Sequence, residues 1–241
     1  AVSLADKLDS LAGFYAIGEK PTGSKDPFAL RRAALGIVAL IEKNGLRYSV
    51  SEILRVADRP FAESDAGSSA SFNQLLDFTI DRLKVQQREA GVRHDLIDSI
   101  FALGTEDDLF RLLARVKALQ AFITTAEGAN LLSGYKRASN ILKKETFSTD
   151  VTLLSYTPEP AEKALIDALD SAEPLATAAI AREDFEGAMS ALASLRGPID
   201  AFFESVTVND PQLQKRAARL ALLARMRDAV HRVADFSKID G

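Results

Sequence analysis

The chain has 241 residues, 47% hydrophobic and 27% charged, with a formal net charge of −4. It can bury one large core or two modest ones, and no run approaches the roughly 20 apolar residues that span a bilayer. Cysteine is absent and the only histidines are His94 and His231, which excludes disulfides, thiolate metal sites, cysteine nucleophiles and histidine-rich metal clusters.

The opening segment, Ala1 to Ala5, reads as mid-helix without a charged n-region, so the chain is expected to be a piece of a larger protein rather than to begin with a signal peptide. Asp26-Pro27 reads as an N-cap followed by proline at the first helical position, leading a helix from Phe28 to Ile41. Asn44-Gly45 closes it. Pro60 to Ser71 is rich in Ser, Ala and Gly and reads as a loop. Ser71 then caps a helix carrying Phe72, Leu75, Leu76, Thr79 and Leu83, and Gly91 ends that segment. Thr105 with Asp108 resembles a capping box ahead of the stripe Leu109, Leu112, Leu113, Val116, Leu119, Phe122 and Ile123.

The segment from about Leu131 to Lys144 is the most informative. As a helix it places Lys136, Asn140, Lys143 and Lys144 on one face and Tyr135, Ala138, Ile141 and Leu142 on the other. Cations beside a base-reading amide suit a nucleic-acid backbone and its exposed bases. A solvated face on a core helix has the same pattern, and the segment by itself leaves both readings open.

Thr146 to Thr157 reads as a connection, and Thr157-Pro158 as the start of a helix with Ala161, Leu165 and Leu169 on one side. Asp184 starts a helix bearing Phe185, Ala188, Met189 and Leu192. Gly197-Pro198 separates that helix from Ile199, Phe202, Phe203 and Val206. Asp210-Pro211 opens the last long helix. There Arg219 heads an otherwise apolar stripe of Leu222, Leu223, Met226, Val230 and Val233. Its guanidinium is expected either to bond within the fold or to reach phosphate or base at a groove edge. From Lys215 to Arg232 six basic residues stand against one acid, Asp228, so local charge permits a nucleic-acid partner that the global charge does not suggest. No strand of useful length appears, and the fold class is all-α.

Chemistry is sparse. Gly18 to Lys25 has the composition of a phosphate loop but fails its pattern: no strand precedes it, Pro21 interrupts it, and Lys25 follows Ser24. Carboxylate pairs such as Asp6 and Asp9 are ordinary on solvated helices. Composition and spacing alone reach a helical, cytoplasmic RNA- or protein-binder.

Several strings together resemble one family. Leu4 to Asp9, Gly18 to Arg32 (GEKPTGSKDPFALRR), Asp77 to Asp98, Tyr135 to Lys144, and Asn209 to Lys238 with its VADFSK string are similar to the C-terminal half of the bacterial glycyl-tRNA synthetase β subunit. The resemblance implies three segments: the end of an HD-like helical domain at 1–45, a helical body at 46–128, and a DALR-type helical anticodon-binding domain at 129–241. It implies an α2β2 ligase of the cytoplasm, with tRNA(Gly), the α subunit and a second β subunit as partners, and neither membrane nor DNA. ATP and Mg2+ belong to the α subunit, which activates glycine; this chain is expected to hold no cofactor, metal or catalytic residue. Asp6 matches a late metal-binding aspartate of HD phosphohydrolases, whose histidine partners fall outside this chain. The tRNA-binding residues implied are Lys136, Arg137, Asn140, Lys143, Lys144, Arg216 and Arg219. Under this reading Arg219→Lys is expected to lose anticodon discrimination while keeping its melting temperature. The rival readings are an HD-type phosphohydrolase relative and a helical scaffold for subunit assembly.

Overall fold

A computed structural model describes residues 1–62, 69–104, 106–145 and 156–240. Among these residues there are eleven α-helices, one 3-10 turn and no strand. Packing divides the chain into two units. The first holds residues 1–97 and 104–114, and the second holds 98–103 and 115–241. The division therefore falls elsewhere than the expected boundaries at 45/46 and 128/129.

In the first unit α1 (Val2–Ala16) packs on α2 (Leu30–Asn44), α3 (Val50–Ala62) and α4 (Ser69–Glu89). Leu11, Ala34, Ile37, Ile41, Leu54 and Leu75 fill the core with at most 1% exposure. No boundary isolates residues 1–45, because α2 packs directly on α4. The start of α2 lies later than its Asp-Pro signal. Phe28 stacks on Phe14 with ring centroids 4.0 Å apart, and Ala29 takes a left-handed φ of 55°. The helix begins at Leu30. Asp26 still caps it from outside, its carboxylate accepting from the Leu30 N–H at 2.8 Å and the Arg31 N–H at 3.1 Å. Asp26→Ala is expected to cost about 1 kcal/mol, the usual scale for a missing cap, visible as a lower urea midpoint.

Pro60 does not open a loop. It sits in the last turns of α3, on an exposed side. An exposed position leaves the carbonyl that the missing N–H does not pair open to solvent, so proline costs less there than in a buried helix interior. Most of the expected 60–71 loop, and the Ser71 cap, lie outside the described residues and side chains, as do Thr105 and residues 146–155. Asp107 ties two segments of this unit together: its carboxylate accepts from the Ser51 N–H at 3.1 Å and the Ser51 hydroxyl at 2.6 Å. Asp108 itself caps α6 (Leu109–Ile123), accepting from the Arg111 N–H at 3.1 Å. α5 (His94–Phe101) lies between α4 and α6 in the chain.

In the second unit α7 (Ala126–Leu142) packs on α9 (Phe185–Ala193), α10 (Arg196–Ser205) and α11 (Leu213–His231), and α8 (Pro160–Ala181) packs on α9, α10 and α11. A 3-10 turn at Phe236–Lys238 closes against α7. Three starts shift from their sequence signals. Glu159-Pro160, not Thr157-Pro158, begins α8, with a capping box between Glu159 and Glu162. Gly197 and Pro198 lie in the first turn of α10 rather than before it, where proline is tolerated because its N–H would be unpaired anyway. The Asp210 carboxylate accepts from the Gln212 N–H at 2.8 Å, so α11 starts only at Leu213. Asp184 caps α9 as expected, accepting from the Gly187 N–H at 2.8 Å.

Candidate nucleic-acid interface

α7 starts at Thr125, whose hydroxyl accepts from the Gly128 N–H at 3.0 Å. Its buried face holds Leu131, Leu132, Tyr135, Ala138 and Leu142. Tyr135 is core, not a stacking platform. It is 2% exposed and packs on the Phe236 ring, centroids 5.6 Å apart. Burial raises its phenol above the ordinary range. The opposite face carries the expected residues: Asn140, Lys143 and Lys144 are exposed and Lys136 is half-buried. Lys143 is the C-cap residue of the helix and Lys144 follows it, at an end where cations are favoured. Among the described residues none of these three lysines forms an ion pair.

Arg137, next to this face, is docked. Its guanidinium lies 4.3 Å from the Phe203 ring centroid and donates to the Phe203 carbonyl at 3.5 Å. Phe203 remains half-exposed, so the pair offers a flat cation–aromatic edge beside the lysines. Sequence spacing gave no sign of this partner, which comes from α10.

The basic run on α11 is largely spent inside the unit. Arg216 meets Glu145 at 2.5 Å. Arg225 meets Glu173 at 2.9 Å and Asp170 at 2.7 Å. Arg227 bonds its neighbour Asp228 at 2.7 Å, and Arg232 donates to the Thr177 hydroxyl at 2.8 Å. The local excess read from sequence is thus offset in part by carboxylates distant in the chain but adjacent in space, Glu145 and, on α8, Asp170 and Glu173.

Arg219 is the clearest correction. It is 1% exposed. Its Nε donates to Glu162 at 2.8 Å, and Nη1 donates to the Thr207 carbonyl at 2.7 Å and to Asp210 at 2.9 Å. Nη2 donates to Glu159 at 2.5 Å. Tyr156 donates its hydroxyl to the same Glu162 at 2.7 Å. Burial opposes ionisation of Glu162, but the Arg219 bonds and the Glu159 N–H outweigh it and hold the carboxyl below its ordinary value. With its donors directed into the fold, Arg219 does not reach a groove edge.

Comparison with known proteins decides the family. Residues 1–102 match the family model described as glycyl-tRNA synthetase beta subunit, and residues 131–238 match the DALR anticodon binding domain. The whole chain aligns with the glycine–tRNA ligase beta subunit of Rhodospirillum centenum at 51% identity, covering 34% of that protein. The corresponding proteins of Phenylobacterium zucineum and Cereibacter sphaeroides are each 48% identical, over 34% and 36% of their lengths. The chain belongs to the glycyl-tRNA synthetase β-subunit family. It spans about a third of the length of the curated relatives it matches.

The DALR match covers the lysine face of α7, the Arg137–Phe203 stack and the Arg219 cluster together. In this β-subunit segment Asp6 is exposed on α1. Among the described residues no group of three His, Asp or Glu side chains is placed to hold a metal, and no helix is long and apolar enough to cross a membrane.

Proposed function

We propose that this chain is the tRNA-binding C-terminal part of a glycyl-tRNA synthetase β subunit. Its DALR-type unit engages the anticodon region of tRNA(Gly), while an α subunit, in an α2β2 assembly, activates glycine with ATP and Mg2+. The chain supplies binding and orientation and no bond-making step. The observation that carries the reading is the face of Lys136, Asn140, Lys143 and Lys144 on a helix inside the DALR match, its lysines without ion pairs among the described residues, in contrast to the neutralised arginines of α11. An RNA loop offers phosphates to such lysines and unstacked bases to a neighbouring flat edge. Arg216 is half-exposed and bonded to Glu145, and contributes on this reading only by exchanging that carboxylate for phosphate.

The test is a tRNA titration of the intact subunit against salt. Lys143→Ala with Lys144→Ala is expected to weaken binding about equally for all tRNA sequences, because phosphate contacts position without specifying. The slope of log K against log salt should fall by about 0.7–0.9 for each phosphate no longer neutralised. An unchanged slope removes this face from the interface.

A further inference from the structure

Beside the lysine face, where α7 meets the end of α11, lies a cleft of about 380 Å3. Lys143 belongs to both the face and the cleft. The cleft's other basic side chains are the Arg227 guanidinium and the His231 ring, and its carboxylates are Asp228 and Asp235. Ser139 also lines it. That side chain is 8% exposed, and its buried hydroxyl has no hydrogen-bond partner among the described residues. The neighbouring Tyr135 phenol makes a side-chain hydrogen-bond contact with Ser139, one too long or too bent to satisfy the buried hydroxyl fully. A helical serine ordinarily bonds back to its own helix. A buried hydroxyl left unpaired is a standing cost that a ligand can relieve.

The charge pattern identifies the ligand class. A bare anion would meet Asp228 and Asp235 as well as the cations. Asp235 is held in place, accepting from the Ser237 N–H at 3.0 Å and the Ser237 hydroxyl at 2.6 Å. The His231 Nδ1 lies 3.7 Å from it. Arg227 is partly satisfied by Asp228, while Lys143 has no ion pair among the described residues. A single-stranded ribonucleotide matches this mixture. Its phosphate suits Lys143 and Arg227, and its 2′-hydroxyl or exocyclic amine supplies donors to the carboxylates. The volume is within the range of small-ligand sites.

We infer that the Ser139–His231 cleft holds one unpaired nucleotide of the bound RNA, with the Ser139 hydroxyl and His231 ring contacting it directly. The inference rests on the proposed tRNA-binding reading and names a nucleotide subsite within it. The experiment is an abasic scan. Stem-loop RNAs carrying one abasic position at a time through the loop are titrated against the intact subunit, its His231→Ala variant, and Ser139→Val with His231→Ala. His231 is half-exposed, so its single variant keeps the test readable if the double variant folds poorly; melting curves accompany each titration.

The expected result is a loss of about tenfold for the variants, the scale of one or two charge-assisted hydrogen bonds. One abasic position should cost the parent protein about as much and add little to the variants, since coupled losses do not add. Parent-like binding by both variants overturns the cleft. So does a variant loss that adds fully to every abasic change, which would mean that the cleft meets backbone alone. If the parent fails to bind any stem-loop, the broader reading falls with it. If the parent binds and Lys143→Ala with Lys144→Ala lowers the salt slope while the cleft variants bind normally, only this inference falls.

Discussion

Arg219→Ala is expected to lower the melting temperature of the second unit by about 10 °C or more. The substitution leaves Glu162, itself 2% exposed, as a buried carboxylate without its cation. Removing one partner of a buried pair costs about 3–5 kcal/mol, and each kcal/mol shifts a unit of this size by several degrees. Arg219→Lys should fall between the variant and the parent, because a three-donor ammonium cannot span Glu159, Glu162, Asp210 and the Thr207 carbonyl as the guanidinium fork does. This reverses the expectation read from sequence, in which Arg219→Lys kept its stability and lost anticodon discrimination. Adding Glu162→Gln to Arg219→Ala should recover part of the loss, since the uncompensated charge is then gone.

The pH dependence is set by the direction of the Glu162 shift. In the parent its folded value lies below the ordinary 4.5, so its contribution is present above that value and is lost as pH falls through the folded one. In Arg219→Ala burial acts without its counter-charge and raises the same carboxyl, so protonation now favours the folded state. The gap in stability between parent and variant is therefore widest near neutrality and narrows below about pH 4.5. Thermal melts at pH 7 and pH 4 check this. An equal gap at both would mean that Glu162 is not the group left unpaired.

The legible part of this fold was the part written in local periodicity. The stripes of α6, α7 and α11 are buried largely where spacing placed them, from Leu109 through Ile123 and from Leu222 through Val233, with Phe122 on α6 and Ile141 on α7 only half-buried. Helix ends marked by one residue in a special conformation were legible too: Gly45 has φ 58° and Gly91 has φ 84°. Proline signals misled. Asp26-Pro27 and Asp210-Pro211 each form a turn just before their helix, and Pro60 lies inside one, because proline marks where a backbone N–H is dispensable and not the boundary itself.

The candidate interface was legible only on one helix. Lys136, Asn140, Lys143 and Lys144 share a face by spacing alone. Which other cations were available depended on partners far away in sequence: Glu159, Glu162, Asp170 and Glu173 on α8 or at its start, and Phe203 on α10. Neither the local basic excess of α11 nor the exposure of Arg219 survives once those partners are placed. The Ser139 cleft was illegible for the same reason, since it joins the end of α7 to the end of α11. A weak signal existed in the sequence. Ser139 falls between Tyr135, Ala138 and Leu142 on the apolar side of α7, where a hydroxyl needs a partner.

Gly128→Ala is expected to destabilise the second unit by about 3 kcal/mol or more and to weaken RNA binding with it. Gly128 lies in the first turn of α7, and the preceding turn folds tightly over it. The Phe122 carbonyl accepts from the Thr125 N–H at 2.9 Å and from the Thr125 hydroxyl at 2.8 Å, while Thr125 caps Gly128. A Cβ at position 128 would lie 2.8 Å from the Phe122 carbonyl carbon, 3.0 Å from the Ile123 Cα, and closer still to the carbonyl oxygen. These are backbone atoms, so no rotamer change relieves the overlap. Either the α6–α7 turn opens, losing the Thr125 cap, or α7 shifts along its axis. Overpacking of this kind costs about 1–3 kcal/mol when side chains can yield, and a backbone obstacle sets the upper end or beyond. Gly197→Ala is the matched control. It too is an early helical glycine, but nothing lies within 4 Å of its added Cβ, so the gain in helix propensity of up to about 1 kcal/mol is unopposed. Urea unfolding of both variants decides between steric and entropic accounts. Comparable midpoints for the two would show that the turn before α7 is loose enough to admit a methyl group. In that case the register of the lysine face is set by the packing of α7 on α10 and α11, not by its cap.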